Sequence, residues 1–258
     1  MTAIRYEQCY VACLDILGFK EKVMDSRNRA AILEVLLKTI NICDTIPTGG
    51  KLVGLSGNER IIPVQSRFFS DTLGFFIKEK PENLPHMLLI IRYLQDRLWE
   101  QGICLRGGIT VGEMYWPVDK GNITLGPGWI EAYKLESEIA IYPRIVVSPK
   151  LHGTLDGADA YPFGANAAPL KNYIRTDADG VHFLDLLHAG IVRPQDEQFN
   201  KSDWHFCLTW HSVEPSRLNT IRAAVQKTID ENLAEQPEDR VRQKYAWLQS
   251  YLNQSLGA

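Results

Sequence analysis

The sequence has no arrangement of cysteine or histidine that would mark a zinc site or a disulfide framework. Its five cysteines are odd in number and scattered, and no two of them form a C-x-x-C pair. The six histidines show no metal-ligand spacing either. These absences argue against a zinc-binding module and against a small disulfide-stabilised domain. We interpret the cysteines as reduced residues of the core.

The chain also lacks a long hydrophobic run and a strong excess of one charge. Its longest apolar runs are interrupted by charged residues well before the roughly 18 residues that a membrane span requires, and the N-terminus shows no cleavable signal pattern. A formal net charge of −3 gives no reason to expect a general nucleic-acid-binding protein. We therefore predict a soluble cytoplasmic protein with no membrane or nucleic-acid partner. The net charge does not exclude a polyanionic ligand, because one local site can be basic on an acidic protein.

Apolar residues in the first half of the chain predict strands and helices in alternation. The chain has 258 residues, enough for one large domain with a sizeable core. Residues 10–14 read as a buried strand, and residues 29–43 carry apolar residues near helical spacing. A further helix is expected to begin at Pro85 and to end before Gly102.

The second half of the chain adds hairpins and a helical tail. Residues 103–116 are expected to form a strand pair around small residues, and residues 128–138 a short helix. Residues 150–170 look loop-like, and residues 173–187 look like a hairpin with Asp-Gly at its turn. The tail carries two amphipathic helical patterns. Strands alternating with helices, followed by late hairpins, predict an α+β or mixed α/β fold.

Two aspartates interrupt strongly apolar strands. Asp15 ends the first strand and Asp71 lies within FFSDTLGFFI, and each is followed three residues later by glycine and then phenylalanine. A carboxylate in such a strand is costly unless it is hydrogen-bonded, paired or bound to a cation. The plainer explanation for each is an Asx turn. Neighbouring strand ends, however, would bring the two carboxylates within about 5 Å, where they repel each other unless a proton or a hard divalent ion intervenes.

Four segments resemble the class III nucleotidyl cyclase domain. LDILGF, FSDTLGFF, LRGGITVGEMYW and LGPGWIEAYKLESE follow the order and rough spacing of that family's motifs over about residues 8–187. Within the family, the chain is most similar to the pyrimidine (uridylate or cytidylate) cyclases of the bacterial Pycsar anti-phage systems. The resemblance implies an α+β fold with a ferredoxin-like βαββαβ core. It places the catalytic domain at residues 1–190 and a helical C-terminal extension, packed on it, at residues 191–258.

The resemblance also implies a two-metal site. Two divalent ions, Mn²⁺ or Mg²⁺, would be held by Asp15, by Asp71 and by the backbone carbonyl of Ile16. One ion would help to ionise the ribose 3′-hydroxyl, and the other would clamp the triphosphate. Aligning IEAYKLE on the family's N-x-A-x-R-L-E helix motif puts Lys134 at the arginine, as a catalytic contact to the α-phosphate, and Ile130 at the asparagine. Ile130 has no side-chain hydrogen-bonding group, so that contact is absent or comes from elsewhere.

Three further residues are candidate substrate contacts. Phe19 follows the first aspartate motif, and Lys171 falls where the family often has a phosphate-binding lysine. Arg67 stands four positions before Asp71, where purine cyclases commonly carry a base-reading residue, and the partner position near Ile123 is apolar. Because arginine only donates hydrogen bonds, Arg67 suits the ring carbonyls of uracil or cytosine. Guanine also offers an acceptor edge, so Arg67 alone leaves GTP open.

The resemblance, with Arg67 as the residue that selects the base, implies a lyase that converts UTP into 3′,5′-cyclic UMP and pyrophosphate. The resemblance implies a homodimer, because the family's site is built across a head-to-tail pair of chains. It further implies a role in anti-phage defence, with a separate effector protein that senses the product. Cytidylate or purine cyclase activity stays open. So does a catalytically inactive domain that binds nucleotide as a regulatory module, an alternative motivated by Ile130.

Overall fold

The structure is a computed structural model that describes residues 5–48, 52–53, 59–60, 64–80, 83–116, 124–155, 170–187, 215–235 and 238–256. These residues form a seven-stranded mixed sheet, covered by helices on both faces, and a separate two-stranded sheet. Within the described ranges, no helix combines the length and the apolar character needed to cross a membrane.

The first part of the chain forms a β-α-β-β-α-β unit. Its elements are β1 (Arg5–Ile16), α1 (Phe19–Met24), α2 (Ser26–Thr48), the short pair β2 (Leu52–Val53) and β3 (Glu59–Arg60), β4 (Gln65–Phe69), β5 (Thr72–Lys78), α3 (Asn83–Trp99) and β6 (Leu105–Trp116). Strand β1 pairs antiparallel with both β5 and β6, and the order across this part of the sheet is β4-β5-β1-β6. This connectivity and strand order are those of a ferredoxin-like core, so the predicted α+β fold is confirmed.

The rest of the chain extends the sheet and adds C-terminal helices. Its elements are α4 (Pro127–Lys134), a π-helix (Leu135–Ile139), β7 (Ile145–Val147), α5 (Pro149–Thr154), a 3₁₀ helix (Leu170–Tyr173), β8 (Ile174–Thr176), β9 (His182–Leu184), α6 (Pro215–Ala234) and α7 (Asp239–Leu256). Strand β7 joins β6 in parallel, which gives the full order β4-β5-β1-β6-β7-β9-β8. Helices α6 and α7 are the predicted C-terminal helices.

Side chains of β1 alternate between two cores, as a strand period of two requires. Ala12 and Leu14 belong to the larger core, which also contains residues of α2, α3, α6 and α7. Cys13 belongs to the smaller core under α4. Asp15 follows Cys13 by two residues and therefore lies on the α4 face. Because α6 and α7 share the larger core with the sheet, they pack on the predicted catalytic domain; the domain boundary at 190/191 lies outside the described residues and stays a prediction.

Most of the predicted elements lie close to their expected positions. The strand over 10–14 is the middle of β1, and the helix over 29–43 is part of α2. The helix around Pro85 is α3. The hairpin over 173–187 consists of β8 and β9, with Gly180 at φ +80° in its turn. Apolar periodicity, together with the Pro85 and Asp-Gly signals, was therefore sufficient to find these elements.

The segment 103–116 was wrongly predicted as a strand pair, because Leu105–Trp116 is one continuous strand. Its glycines are needed for close packing and not for a turn. A Cβ at Gly112 would lie 2.7 Å from the Cα of Gly128 in α4, and this is closer than real Cβ contacts. Helix α4 can therefore rest directly on β6 only because the strand lacks side chains there.

A short helix occupies the start of the segment expected to be loop-like. Helix α5 begins at Pro149, and Ser148 caps it by accepting a hydrogen bond from the backbone N–H of Leu151 at 3.0 Å. Serine before a first-turn proline is an N-terminal helix signal, which the Gly, Ala and Pro content of the region concealed. Residues 156–169 lie outside the described part of the chain.

Candidate active site

The two predicted aspartates lie together at one end of the sheet. Asp15 is next to last in β1 and is opposite Thr72, the first residue of β5. Asp71 belongs to the two-residue turn between β4 and β5, where Ser70 has φ +58°. The backbone N–H of Ile16 donates to the Asp71 carbonyl at 3.2 Å. The turn therefore places Asp71 beside the end of β1.

The carbonyl of Ile16 faces the same turn. In an antiparallel pair, the N–H and C=O groups of a hydrogen-bonded residue point to the same partner. Since the N–H of Ile16 bonds to Asp71, its carbonyl oxygen points to that side as well. The structure thus brings together the three oxygen donors that the sequence singled out, Asp15, Ile16 and Asp71.

An arginine links Asp15 to a second acid on the π-helix. Arg106 is opposite Asp15 in β6, and its Nε donates to Asp15 Oδ2 at 2.8 Å. Its Nη2 lies 2.8 Å from Oε1 of the buried Glu136. These two atoms are close but are not aligned for a hydrogen bond, so this Glu136 oxygen has no hydrogen-bond donor among the described residues. Asp15, Asp71 and Glu136 are called the carboxylate site below.

The surroundings of the carboxylate site make ionisation of its acids unfavourable. Burial raises the pKa of Asp15, the Arg106 guanidinium opposes the rise, and the charge of Asp71 adds to it. Burial likewise raises the pKa of Glu136, with Arg106 opposing and the two aspartates adding. Desolvation and like charges both favour the protonated forms. A cation bound at this site would relieve the repulsion.

The donor atoms fit a divalent cation that the substrate helps to hold. No group of three or more His, Cys, Asp or Glu side chains within the described ranges is arranged around a common metal position. A magnesium-like ion needs fewer protein side chains. It typically binds one or two carboxylates, and water and substrate phosphate oxygens complete its coordination shell. Asp15, Asp71 and the Ile16 carbonyl supply such a set, and Glu136 adds a buried oxygen without a donor.

Arg67 lies on the edge strand at the same face of the sheet. It is opposite Gly74 in β5, whose missing side chain leaves room for the Trp129 ring of α4. The Arg67 Nη1 donates to the Ser66 carbonyl at 2.7 Å. Strand β4 is two strands from β1, or roughly 10 Å at ordinary strand spacing. Arg67 is therefore near the carboxylate site but not in it.

Lys134 is exposed, and no described ion pair or hydrogen bond joins it to the aspartates of its own chain. It ends α4, whose buried residues Gly128 and Ala132 face the sheet. In the described part of the chain, its ammonium has no ion-pair or hydrogen-bond partner. Ile130 projects from the same helix with 55% of its surface exposed. The structure thus places both residues of the helix motif on an outer surface.

The remaining predicted residues are spread over the fold. Phe19 is the first residue of α1 and packs against the larger core. Lys171 is exposed in the 3₁₀ helix that leads into β8, the strand at the far edge of the sheet from β4. Ile123 lies outside the described residues. Phe19 is therefore a core contact, and Lys171 lies beside a sheet edge remote from β4.

Two residues at the site were missed from the sequence. Arg106 and Glu136 stood inside the quoted motifs LRGG and KLE, but neither was assigned to the aspartates. Lys244 of α7 also interacts electrostatically with both Arg106 and Asp15: burial lowers the pKa of its ammonium, Arg106 lowers it further, and Asp15 opposes the fall. The position of this lysine could not be predicted from the sequence. The amphipathic pattern of α7 shows which face of the helix is buried, but not which part of the fold the helix packs against.

The described cysteines behave as core residues. Cys9, Cys13 and Cys104 are free and buried, and burial raises the pKa of the Cys13 thiol to about 12. A thiol with so high a pKa is a poor nucleophile and a poor metal ligand at neutral pH. The interpretation of these cysteines as reduced core residues is confirmed.

Comparisons with known proteins find likenesses among solved structures only. No protein-family model matches the chain, and no curated protein matches it. A class III adenylyl cyclase-like ATP-binding protein from Pseudomonas aeruginosa aligns with a TM-score of 0.40 at 15% identity, over 64% of this chain and 38% of that one. The monomeric guanylyl cyclase domain of the RhoGC fusion protein from the aquatic fungus Blastocladiella emersonii aligns with a TM-score of 0.41 at 16% identity, over 71% of this chain and 98% of that one.

A third solved structure is the catalytic core of a rhodopsin-guanylyl cyclase with converted specificity, in complex with ATPαS. It aligns with a TM-score of 0.42 at 16% identity, over 70% of this chain and 98% of that one. This chain spans well under half the length of the Pseudomonas protein.

Proposed function

We propose that the protein is a nucleotidyl cyclase of the class III type that converts UTP into 3′,5′-cyclic UMP and pyrophosphate. The observation that carries the proposal is the convergence of Asp15 and Asp71 at one end of a ferredoxin-like sheet, where burial and mutual repulsion raise the pKa of Asp15. Two carboxylates in a partly buried position, where ionisation is unfavourable, suggest a role that depends on a bound cation. The order of the sequence motifs around them supports a cyclase.

The reaction joins two parts of one substrate. The ribose 3′-oxygen attacks the α-phosphorus, the bond from that phosphorus to pyrophosphate breaks, and the hydroxyl proton passes to water. Two divalent ions, Mn²⁺ or Mg²⁺, held by Asp15, Asp71 and the Ile16 carbonyl would assist ionisation of the hydroxyl and neutralise the triphosphate. The chain itself supplies positioning and charge balance, which provide most of the catalysis in phosphoryl transfer. Arg106 contributes by fixing the Asp15 carboxylate.

A homodimer would complete the site. Lys134 is exposed on α4 and makes no described ion pair with the aspartates of its own chain, so it would serve the site of a second copy. Exposed apolar side chains lie on α4 and on the segments just before and after it, and a group of this kind typically marks an interaction surface. They are Leu125, Ile130, Tyr133, Ile139 and Ile141. A head-to-tail pair would cover this surface and bring each Lys134 to the other chain's carboxylate site.

Base selection is assigned to Arg67. Its donors suit uracil, which offers two carbonyl acceptors, more than cytosine, which offers one carbonyl and a ring nitrogen. Its position on the edge strand beside Trp129, on the face that carries Asp15, is compatible with this role. UTP is therefore the proposed substrate, and CTP is the nearest alternative. The role in anti-phage defence and the separate effector that would sense the product rest on the sequence resemblance alone.

A second candidate function is nucleotide binding without catalysis. Ile130 stands where the cyclase helix motif has asparagine, and its side chain is exposed and apolar. Lys134 replaces the arginine of that motif and loses its bidentate geometry. A domain that binds a nucleotide and regulates a partner would tolerate both departures.

Product analysis separates these functions. The purified protein is incubated with Mn²⁺ and each of the four ribonucleoside triphosphates, and cyclic products are identified by mass. We expect cyclic UMP from the wild type, no product from Asp15→Asn, and unchanged yield from the matched control Glu34→Gln, an exposed acid of α2. Absence of cyclic product with all four substrates, together with measurable nucleotide binding, would favour the binding domain.

A further inference from the structure

A turn of π-helix brings Glu136 against the sheet beside Arg106. Glu136 is the buried residue of the π-helix that continues α4, and short π-helical turns are frequent at functional sites. Gly108 follows Arg106 by two residues in β6 and therefore lies on the same face of the sheet. A Cβ at Gly108 would lie 2.3 Å from the Leu135 Cβ and 3.2 Å from the Glu136 backbone nitrogen. The missing side chain thus lets the π-helix rest directly on the strand that carries Arg106.

Arg106 stands between two acids and forms a hydrogen bond with one of them. Its Nε donates to Asp15 Oδ2 at 2.8 Å. Its Nη2 lies 2.8 Å from Glu136 Oε1 without the alignment of a hydrogen bond, and that oxygen has no donor among the described residues. The Glu136 side chain is only 8% exposed, so water compensates little. A buried acceptor without a donor is unfavourable, and here it lies within reach of a guanidinium that is bonded to another carboxylate.

This second acceptor becomes important when Asp15 binds a cation. A divalent ion and the Arg106 guanidinium would then share one carboxylate, and their like charges would repel each other. Moving Arg106 off Asp15 without a new partner would leave a largely buried guanidinium unpaired, which is strongly unfavourable. A small rotation of the Arg106 side chain would align it with Glu136 Oε1 and give a charge-assisted hydrogen bond. Glu136 would therefore lower the free-energy cost of cation binding at Asp15.

We propose that Glu136 is a positioning residue, which accepts the Arg106 guanidinium when a divalent cation displaces it from Asp15. This inference rests on the proposed function, because it takes the cation to bind at the carboxylate site, and it adds a residue that acts on the cation only through Arg106. In the cation-free protein Arg106 neutralises Asp15. In the cation-bound protein the pair of Arg106 and Glu136 is complete, and Asp15 is available to the cation.

Manganese binding tests this role apart from turnover. Mn²⁺ alone is titrated into the protein, and free Mn²⁺ is measured by electron paramagnetic resonance. Glutamine at position 136 is a neutral acceptor and would hold Arg106 less strongly. Glu136→Gln should therefore bind Mn²⁺ roughly 10- to 100-fold more weakly than the wild type. The matched control is Glu138→Gln, an exposed acid of the same π-helix, which should change the affinity by less than about twofold because solvent and salt screen its charge.

A double-mutant cycle separates the transfer of Arg106 from a direct effect of the Glu136 charge on the cation. In an Arg106→Met background no guanidinium competes for Asp15. There Glu136→Gln should weaken Mn²⁺ binding by a factor at least roughly threefold smaller than in the wild-type background. Equal losses in the two backgrounds would overturn the positioning role, because Glu136 would then act on the cation directly. Absence of any loss in the wild-type background would also overturn it. Thermal denaturation verifies that the variants are folded.

Crystals of the wild type with and without Mn²⁺ give a second test that needs no variant. With Mn²⁺ at Asp15, we expect Arg106 to donate to Glu136 and no longer to Asp15 Oδ2. Arg106 still bonded to Asp15 beside a bound Mn²⁺ would overturn the inference and leave the cyclase proposal intact. Transfer of Arg106 to Glu136, in a protein that makes no cyclic product, would support the inference and refute the cyclase. A wild type that binds no Mn²⁺ at Asp15 would overturn both.

Discussion

Replacing Arg106 by methionine should destabilise the protein in a pH-dependent way. Methionine keeps much of the apolar stem but removes the only cation bonded to Asp15 in the described structure. The Asp15 and Glu136 side chains are only 17% and 8% exposed, so they would remain buried without a counter-charge. Breaking a buried ion pair from one side costs about 3–5 kcal/mol.

Partial solvation of Arg106, whose side chain is 19% exposed, should reduce that cost. We expect a loss of about 2–3 kcal/mol in the free energy of unfolding at pH 7.5, equivalent to a melting temperature lower by roughly 4–12 °C. The exposed Arg27, whose side chain is 93% accessible, provides the control. Arg27→Met should change stability by less than about 0.5 kcal/mol.

Acidification should recover part of the loss. Burial raises the folded-state pKa of both Asp15 and Glu136 above their ordinary values. Between the unfolded and folded pKa values the folded state binds more protons, so these groups make the free energy of unfolding fall as pH rises. Without Arg106 both pKa values rise further, and the deficit of the variant should be smaller at pH 5.5 than at pH 7.5. Urea denaturation at the two pH values measures it.

Two results would refute this reasoning. Equal stability of Arg106→Met and the wild type at pH 7.5 would mean that the carboxylates do not depend on Arg106. A deficit that grows at pH 5.5 would mean that the carboxylates stay charged and are stabilised by another group.

Three further predictions concern the base, the packing and the assembly. Arg67→Ala should lower kcat/KM for UTP roughly ten- to hundredfold and should affect poor substrates much less, so an equal loss on all four triphosphates would remove Arg67 from base selection. Gly112→Ala should cost about 1–3 kcal/mol in denaturant unfolding, because its Cβ meets the α4 backbone, whereas Gly153→Ala, with nothing within 4 Å, should not destabilise. Inactive Asp71→Ala mixed with inactive Lys134→Ala should regain activity through hybrid dimers; an active, strictly monomeric enzyme would contradict the composite site.

The fold was predicted to the extent that local patterns determine it. Apolar runs and their periodicity located β1 and α2, and with the Pro85 and Asp-Gly signals also α3 and the late hairpin. The same reasoning failed over 103–116, because Gly107 and Gly108 look like a turn in sequence. In the structure the glycines of this strand accommodate neighbouring backbone and the helix that follows, and such a requirement is invisible until that helix is placed.

The sequence predicted those site residues whose burial in an apolar strand is energetically unfavourable. Asp15 and Asp71 stand out because a carboxylate interrupts an apolar strand. The pairing of Arg106 with Asp15 depends on the strand register, and the burial of Glu136 depends on the π-helix that continues α4. Neither can be inferred from residue spacing. Lys244 comes from the far end of the chain, so only tertiary packing reveals its position.

The most direct test of the central claim is an anomalous-diffraction map of crystals containing Mn²⁺ and 3′-deoxy-UTP. The account predicts Mn²⁺ peaks bounded by the carboxylates of Asp15 and Asp71 and by the Ile16 carbonyl, with the triphosphate on the same ions. Nucleotide bound elsewhere, or bound at the carboxylate site with no Mn²⁺ peak at Asp15 or Asp71, would contradict it.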